Sequence, residues 1–553
     1  MPDAFDYIII GAGSAGSVLA NRLSAGDATV CLLEAGGRDT HPMIHIPAGF
    51  MNTLTNPAMN WLYSSEPSAG TAGRSIPAPR GKTLGGSSSI NGHVYNRGQR
   101  LDFDSWAQMG NRGWGYADIL PYFRRSERRI GEGDELYRGR EGELPVTDID
   151  APHPICEAFI ESCVKLGIPR NPDYNGATHE GVGYYQRNIH KGRRRSAAVS
   201  FLNPVKHRRN LDIRTRAHVE RILFEGRRAT GVRYQRNGRV IEIHARREII
   251  LSGGAVASPQ LLQVSGIGPG ALLQDLGIPV QHELPAVGEN LVDHYLARNA
   301  SRVRNAATLN ERARGLALIS EIANFATRRK GILTLSPSLA YAFWKSDPSL
   351  DHGDLNFIFT PASYKQGVPS QLEEYPGMTI ASWPMRPRSR GSVRARTSDS
   401  HDKPAIQPNY LDHEYDQQLT IAGLRLGRQM IQSPEMSHLF DHEITPGAEV
   451  QSDDELLDFA RAYGTTVFHL MGTCRMGPEN DTNAVVDDEL RVRGTEGLRV
   501  VDASVIPAAH STNTNVATIM IAEKASDMIL GKQPPPAAEL PHTAEYEPAR
   551  NAS

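Results

Sequence analysis

Cysteine is scarce in this chain: Cys31, Cys156, Cys163 and Cys474 are the only four in 553 residues. None forms a C-x-x-C pair, so the spacing suggests neither a zinc site nor a disulfide scaffold, and no metal ligand set is expected. That scarcity suits a reducing, cytoplasmic setting. Net charge is equally slight. Sixty Lys and Arg against 62 Asp and Glu leave −2, so the footprint of a nucleic-acid partner is missing. No apolar run reaches the ~18 residues that a membrane span needs, which leaves open only a peripheral contact on the cytoplasmic side of a membrane. The first strand-like run begins near residue 5, leaving no room for a signal peptide. No internal repeat is evident. Hydrophobic residues still make up 39%, enough for ordinary cores, and the length predicts roughly two to four domains.

What is present begins at Asp6. Tyr7-Ile8-Ile9-Ile10 reads as a parallel strand buried on both faces. Gly11-Ala-Gly13-Ser-Ala-Gly16 follows at once, then a helix over Ser17 to Ser24 and a second strand over Thr29 to Leu33 that ends in Glu34. Strand, glycine loop, helix, strand and acid together form the βαβ fingerprint for an adenine dinucleotide. Gly11 permits the tight turn, Gly13 lets the backbone approach a pyrophosphate, and Gly16 lets helix and strand pack closely. The helix N-terminus offers N–H donors to phosphate. Glu34 can accept from ribose hydroxyls and would repel a 2′-phosphate, so FAD or NAD is favoured over NADP.

The rest of the chain offers further candidates. Trp61 lies in a Pro-rich, aromatic stretch and suits either a flavin contact or core packing. Gly81, Gly85 and Gly86 with Ser87 to Ser89 form a donor-rich segment that can lie against a planar ligand and its phosphates; a glycine/serine linker is the alternative. The arginine runs at 124–129 and 193–195 read as solvated faces. Strands expected over Leu211–Arg216, Val219–Phe224, Gly231–Tyr234 and Val240–His244 read as an antiparallel meander. Glu248–Leu251 reads as a separate buried strand, followed by a helix over Ser258–Val264. From Tyr295 to Gly464, helical stretches (Leu316–Lys330, Glu414–Gln432) mix with strand-like ones (Leu355–Thr360, Met378–Pro384, Ser392–Arg396), as in an α+β domain on an antiparallel sheet. Leu498–Asp502 is a buried strand ending in an acid, and Val516–Met528 an apolar helix. Residues 533–553, rich in Pro, Ala and Glu, read as a disordered tail.

Three stretches resemble the glucose-methanol-choline (GMC) flavoprotein oxidoreductases. They are Gly81-Lys-x-Leu-Gly-Gly-Ser-Ser-x-Ile-Asn91, then Gly254-Ala-x-x-Ser-Pro-x-Leu-Leu-x-x-Ser-Gly-Ile-Gly268, then His469-x-x-Gly-Thr-Cys-Arg-Met-Gly477 with Asp502 and Asn513-Thr-Asn515. The likeness spans about residues 5 to 530 and is nearest to choline-dehydrogenase-like and bacterial alcohol dehydrogenase members. It implies a discontinuous α/β, Rossmann-like FAD-binding domain (1–150, 211–300, 465–532) and an α+β substrate-binding domain on an antiparallel sheet (151–210, 301–464). It also implies FAD rather than NAD, a small-molecule alcohol substrate, and an electron acceptor that is a quinone, another carrier or O2. Oligomeric state is not legible.

The resemblance carries over residue by residue. Gly11, Gly13, Ser14, Ala15, Gly16, Glu34 and Ala35 match positions at the ADP half of FAD. Trp61, Gly86, Ser87, Asn91, Gly92, His93 and Val94 match positions along the pyrophosphate and isoalloxazine, and Val219 one whose backbone meets adenine. Asp502, Ala503, Asn513 and Thr514 match positions near the ribityl chain and flavin ring. His469 matches the catalytic base and Asn515 its partner, with His510 a weaker rival for the second place. Asp293-His294 reads as structural, and Cys474 as core. Two departures stand out. Leu470 replaces a common Pro after the base. Ile90 occupies the place of the histidine through which some relatives bind FAD covalently, so FAD is expected to be held non-covalently.

Overall fold

The computed structural model describes residues 3–150, 152–365 and 371–541. Its strands gather mainly into two seven-stranded sheets. In the first, Leu211–Thr215, Val30–Glu34, Ala4–Ile10 and Arg239–Leu251 run parallel, and Leu498–Val500 joins the far side of the last. At the centre of this sheet Val30–Leu33, Tyr7–Ile10 and Ile249–Leu251 are closed to solvent on both faces, as parallel strands covered by helices must be. The helices Ser14–Leu23 and Thr514–Ile529 pack together on one side of it. Arg22 ties the pair, donating to Glu523 at 2.7 Å.

Two expectations about this sheet change. Leu211–Thr215 is not part of the meander; it pairs parallel with Val30–Glu34 as the edge strand. The two strands expected at Val240–His244 and Glu248–Leu251 are one, Arg239–Leu251. Its first half pairs antiparallel with Arg228–Arg236, and its second half pairs parallel with Ala4–Ile10. The intervening Ala245-Arg246-Arg247 is polar because the strand there leaves the core, and it hid the continuity.

The second sheet is antiparallel, in the order Phe440–Thr445, Tyr295–Val303, Gly377–Pro384, Leu355–Thr360, Ala340–Trp344, Gly181–Tyr184, with Thr465–Thr466 on the side of Tyr295–Val303. The division expected between residues 300 and 301 falls inside Tyr295–Val303, a strand hydrogen-bonded throughout to this sheet. Ser392–Arg394 forms a separate hairpin with Ala405–Gln407. Side chains alternate between the two faces. On one face Ala340, Ala342, Phe357, Phe359, Met378 and Ile380 pack against the helices Pro154–Lys165 and Glu414–Ile431, where Phe159 stacks on Phe359 at 4.2 Å. The opposite face looks into a cavity.

The beginning of the expected tail is not free: Ala538 N–H donates to the Ala117 carbonyl, and Ala538 and Leu540 rest on the first core. Residues 542–553 lie outside the described residues. No helix among the described residues is long and apolar enough to cross a membrane.

Candidate active site

A single cavity of about 1240 Å³ runs from the glycine loop to the open face of the second sheet. Gly11, Gly13, Ser14, Ala15, Glu34, Ala35 and Val219 line one end. Trp61, Gly86, Ser87, Asn91, Gly92, His93, Val94, Asp502, Ala503, Thr514 and Asn515 line its middle, and His469 and Asn513 face the second sheet. Of the residues expected at the site only Gly16 does not line it. A Cβ there would lie 1.9 Å from the Gly11 carbonyl oxygen, so Gly16 serves helix–strand packing.

His469 sits on a loop after Thr465–Thr466, and its neighbour Phe468 holds a left-handed φ of 68°. Such a conformation costs of order 1–3 kcal/mol in a bulky residue and persists only where surroundings enforce it. Asp293 does the enforcing. Its carboxylate accepts from the His469 N–H at 2.7 Å, from Tyr410 Oη at 2.6 Å and from Thr466 Oγ1.

The imidazole is fixed just as firmly. His294 Nε2 lies 2.9 Å from the Met385 carbonyl, which can only accept, so that nitrogen carries the proton. Burial pushes the His294 pKa down to about 4, so the ring is neutral and its Nδ1 bears a lone pair. His469 Nδ1, 2.9 Å away, must then donate to it. This leaves His469 Nε2 unprotonated, its lone pair accepting from Asn513 Nδ2 at 2.9 Å. Burial, followed by the nearby His294 and Arg80, holds His469 well below the usual histidine pKa. The ring is therefore neutral at pH 7, with its basic nitrogen turned toward the cavity.

The partner of His469 is thus Asn513, not Asn515. The Asn515 side chain turns to the glycine loop, where its Oδ1 accepts from Ser14 Oγ at 2.6 Å. Helical geometry explains the exchange. Asn513 is the N-cap of Thr514–Ile529 and points off its end, whereas Asn515 is already inside the first turn and faces Ser14–Leu23. The Asp293-His294 pair, expected to be merely structural, grips His469 through its backbone and its ring. His510 is fully buried with both ring nitrogens against carbonyl oxygens, those of Arg97 and Thr512, and it does not line the cavity. Cys474 is buried, its thiol pKa pushed well up by desolvation.

Comparison with known proteins shows the family. Residues 5–296 and 387–522 match the N-terminal and C-terminal GMC oxidoreductase family models. The chain belongs to the GMC oxidoreductase family. It is 42% identical to an alcohol dehydrogenase (acceptor) of Pseudomonas putida over 96% of each chain. It is 40% identical to the mitochondrial choline dehydrogenase of Homo sapiens, covering 96% of this chain and 90% of that one. Among solved structures, pyridoxine 4-oxidase from Mesorbium loti superposes with a TM-score of 0.86 at 32% identity, over 96% of this chain and all of that one. The expected two-sheet fold and dependence on FAD hold for this GMC oxidoreductase.

The residues present fit that cofactor. Gly86, at φ 52°, lies against Gly13, and a Cβ on Gly86 would come within 2.7 Å of the Gly13 Cα. The two bare backbones at the start of Ser14–Leu23 leave N–H groups and the positive helix end for a pyrophosphate. Glu34 already accepts from Ala12 N–H at 2.9 Å and Gly36 N–H at 2.8 Å, which braces the loop and leaves further lone pairs for a ribose. Desolvation still raises its pKa to about 7. Trp61 stacks at 5.7 Å on Tyr63 and takes the Lys82 ammonium over its ring at 4.3 Å, so it both packs and lines the cavity. His93 adopts a left-handed φ of 67°. Its Nε2 meets the Pro47 carbonyl at 3.0 Å, leaving a buried Nδ1 without a partner among the described residues.

Proposed function

We propose that this enzyme oxidises a primary or secondary alcohol to the aldehyde or ketone, with His469 as the base and Asn513 as the residue that holds the alcohol oxygen. The hydrogen-bond chain Met385–His294–His469 carries the reading, because it presents an unprotonated Nε2 to the cavity. The alcohol's O–H proton passes to that nitrogen. Bound FAD supplies the acceptor for the hydrogen that leaves carbon with its electron pair. Asn513 Nδ2, which bonds His469 Nε2, can exchange that acceptor for the developing alkoxide oxygen. His294 keeps the His469 lone pair on the correct nitrogen and can share the positive charge when His469 becomes protonated. The apolar wall of Leu296, Ile358, Ala381 and Trp383 keeps water from the exchange. The relatives named alcohol and choline dehydrogenases support the substrate class.

The proposed electron acceptor is a quinone held in a membrane, with the enzyme resting on the cytoplasmic face. The helix Gly315–Arg328 supports this. Leu316, Ile319 and Ile322 are 84%, 62% and 50% exposed, and Arg328, Arg329 and Lys330 follow at its end. An apolar strip beside a basic cluster suits an anionic lipid surface. Anaerobic mixing with an alcohol panel, followed by reoxidation with a quinone analogue or O2, tests both parts. Bleaching of the flavin band is expected, with faster reoxidation by quinone. A flavin left oxidised by every alcohol overturns the reaction, and faster reoxidation by O2 overturns the acceptor.

A further inference from the structure

The cavity face of the second sheet is built from cross-strand rows. Leu296 and Trp383 flank the register pair Ala297–Ser382, and the Trp383 ring is 6.2 Å from that of His469. The next row, roughly 7 Å along the strands at two residues per repeat, aligns Arg298 with Ala381 and Ile358. Leu296, Trp383, Arg298, Ala381 and Ile358 all line the cavity.

Arg298 is the charged side chain on a wall otherwise made of Leu296, Ile358, Ala381, Trp383 and the hydroxyl-bearing Thr360 and Thr379. Its side chain is exposed to the cavity and has no hydrogen-bond or ion-pair partner among the described residues. Its neighbours do not satisfy it. Tyr364, within electrostatic reach, is itself held neutral, its pKa raised to about 12 by burial. Lys365 adds a second cation and is paired outward with Glu374. The acids lining the cavity are Glu34 and Asp502. Both are committed elsewhere: Glu34 to the glycine loop, and Asp502 to Gly254 N–H at 2.8 Å and Ser258 Oγ at 2.6 Å. Residues 366–370, outside the described set, contain no acid. A cation that is exposed to the cavity and lacks a protein partner is open to an anionic ligand, and a planar guanidinium fork matches a carboxylate.

We infer that Arg298 is a specificity-determining residue that binds a carboxylate on the substrate. The preferred alcohol then carries its anionic group several carbons from the carbinol, with the connecting chain along Leu296, Ala381 and Ile358. The same wall disfavours a cationic alcohol such as choline. The inference rests on the alcohol-oxidation reading and deepens it.

Three alcohols of one length separate the possibilities: 6-hydroxyhexanoate, 1-hexanol and 6-amino-1-hexanol. The kcat/KM should fall in that order, with about 10-fold or more between the first two, as expected for loss of a charge-assisted hydrogen bond. Arg298→Leu should collapse the hydroxyhexanoate-to-hexanol ratio toward one, and Arg298→Lys should restore part of it. Retained flavin colour shows that each variant has folded. Hexanoate, which has no carbinol, reads the subsite without turnover through its perturbation of the bound-flavin spectrum. Saturable binding weakened about 10-fold or more by Arg298→Leu supports the subsite. No hexanoate binding, or a ratio unchanged in Arg298→Leu, overturns it even where hexanol is oxidised. Hexanoate binding with no flavin reduction by any of the three overturns the oxidation reading and leaves the subsite standing.

Discussion

The two sheets do their work with different parts of the chain. At the glycine loop the working groups are backbone: N–H donors, a helix end, and the space left where Gly13 and Gly86 have no side chains. On the second sheet the working groups are side chains carried at every other position, such as Leu296 and Arg298, and the backbone is spent on the ladder. Between them hangs the His469 loop, whose backbone is gripped by Asp293 and whose ring is gripped by His294. The first region should therefore suffer from added atoms, and the second from removed ones.

The largest test of that contrast removes a side chain. His469→Ala should lower alcohol turnover by roughly 10²–10⁴-fold, while the purified protein stays yellow with bound FAD. Near-normal turnover would end the assignment of the base. The converse test adds atoms. Gly86→Val places a side chain against the Gly13 Cα at a left-handed φ. Flavin content after purification should fall by about tenfold or more, a loss near 1.4 kcal/mol or greater in binding, and Ser87→Ala should retain FAD. Equal retention by the two variants would show that the cradle is not a backbone device.

A finer test divides Asn513 from Asn515. Asn513→Ala should slow flavin reduction by an alcohol by about tenfold or more, the cost of a hydrogen bond made to a charged group. Asn515→Ala removes the bond to Ser14 and should weaken FAD retention more than it slows reduction. The opposite pattern would restore Asn515 as the partner of the base.

The smallest effect concerns acid. Burial holds both His294 and His179 down to about 4, from an ordinary value of 6.5. A base depressed by folding is protonated first in the unfolded chain. Its contribution to stability is therefore complete above about pH 6.5 and is lost as pH falls toward 4. The Tm of the wild type should decline across that window, and the decline should shrink in His179→Gln. A Tm flat from pH 7 to 4.5 would contradict neutral burial of these rings.

Much of the first region was legible because its rule is local. Gly11, Gly13 and Gly16 lie within one turn of chain, and the strand, helix and acid around them follow in order. The residue that meets His469 was not. Asn513 and Asn515 are two residues apart, and only the cap geometry of Thr514–Ile529 turns one to His469 and the other to Ser14. Asp293-His294 stood out only as a polar pair, and its hold on His469 was not legible because His469 lies 176 and 175 residues away. Arg298 was hidden for another reason. In a run of alternating residues, Leu296-Ala297-Arg298-Asn299, only the strand register says which face meets the cavity.

The sequence by itself determined the dinucleotide fingerprint, the presence of a second antiparallel unit and the identity of His469 as a candidate base. Each of these is written in short-range spacing of glycines, apolar runs and motifs. Tertiary structure alone decided which nitrogen of His469 is unprotonated, which asparagine meets it, and which face of the second sheet lines the cavity. Those are set by contacts between segments far apart in the chain, where a lone pair's direction depends on what a distant carbonyl accepts.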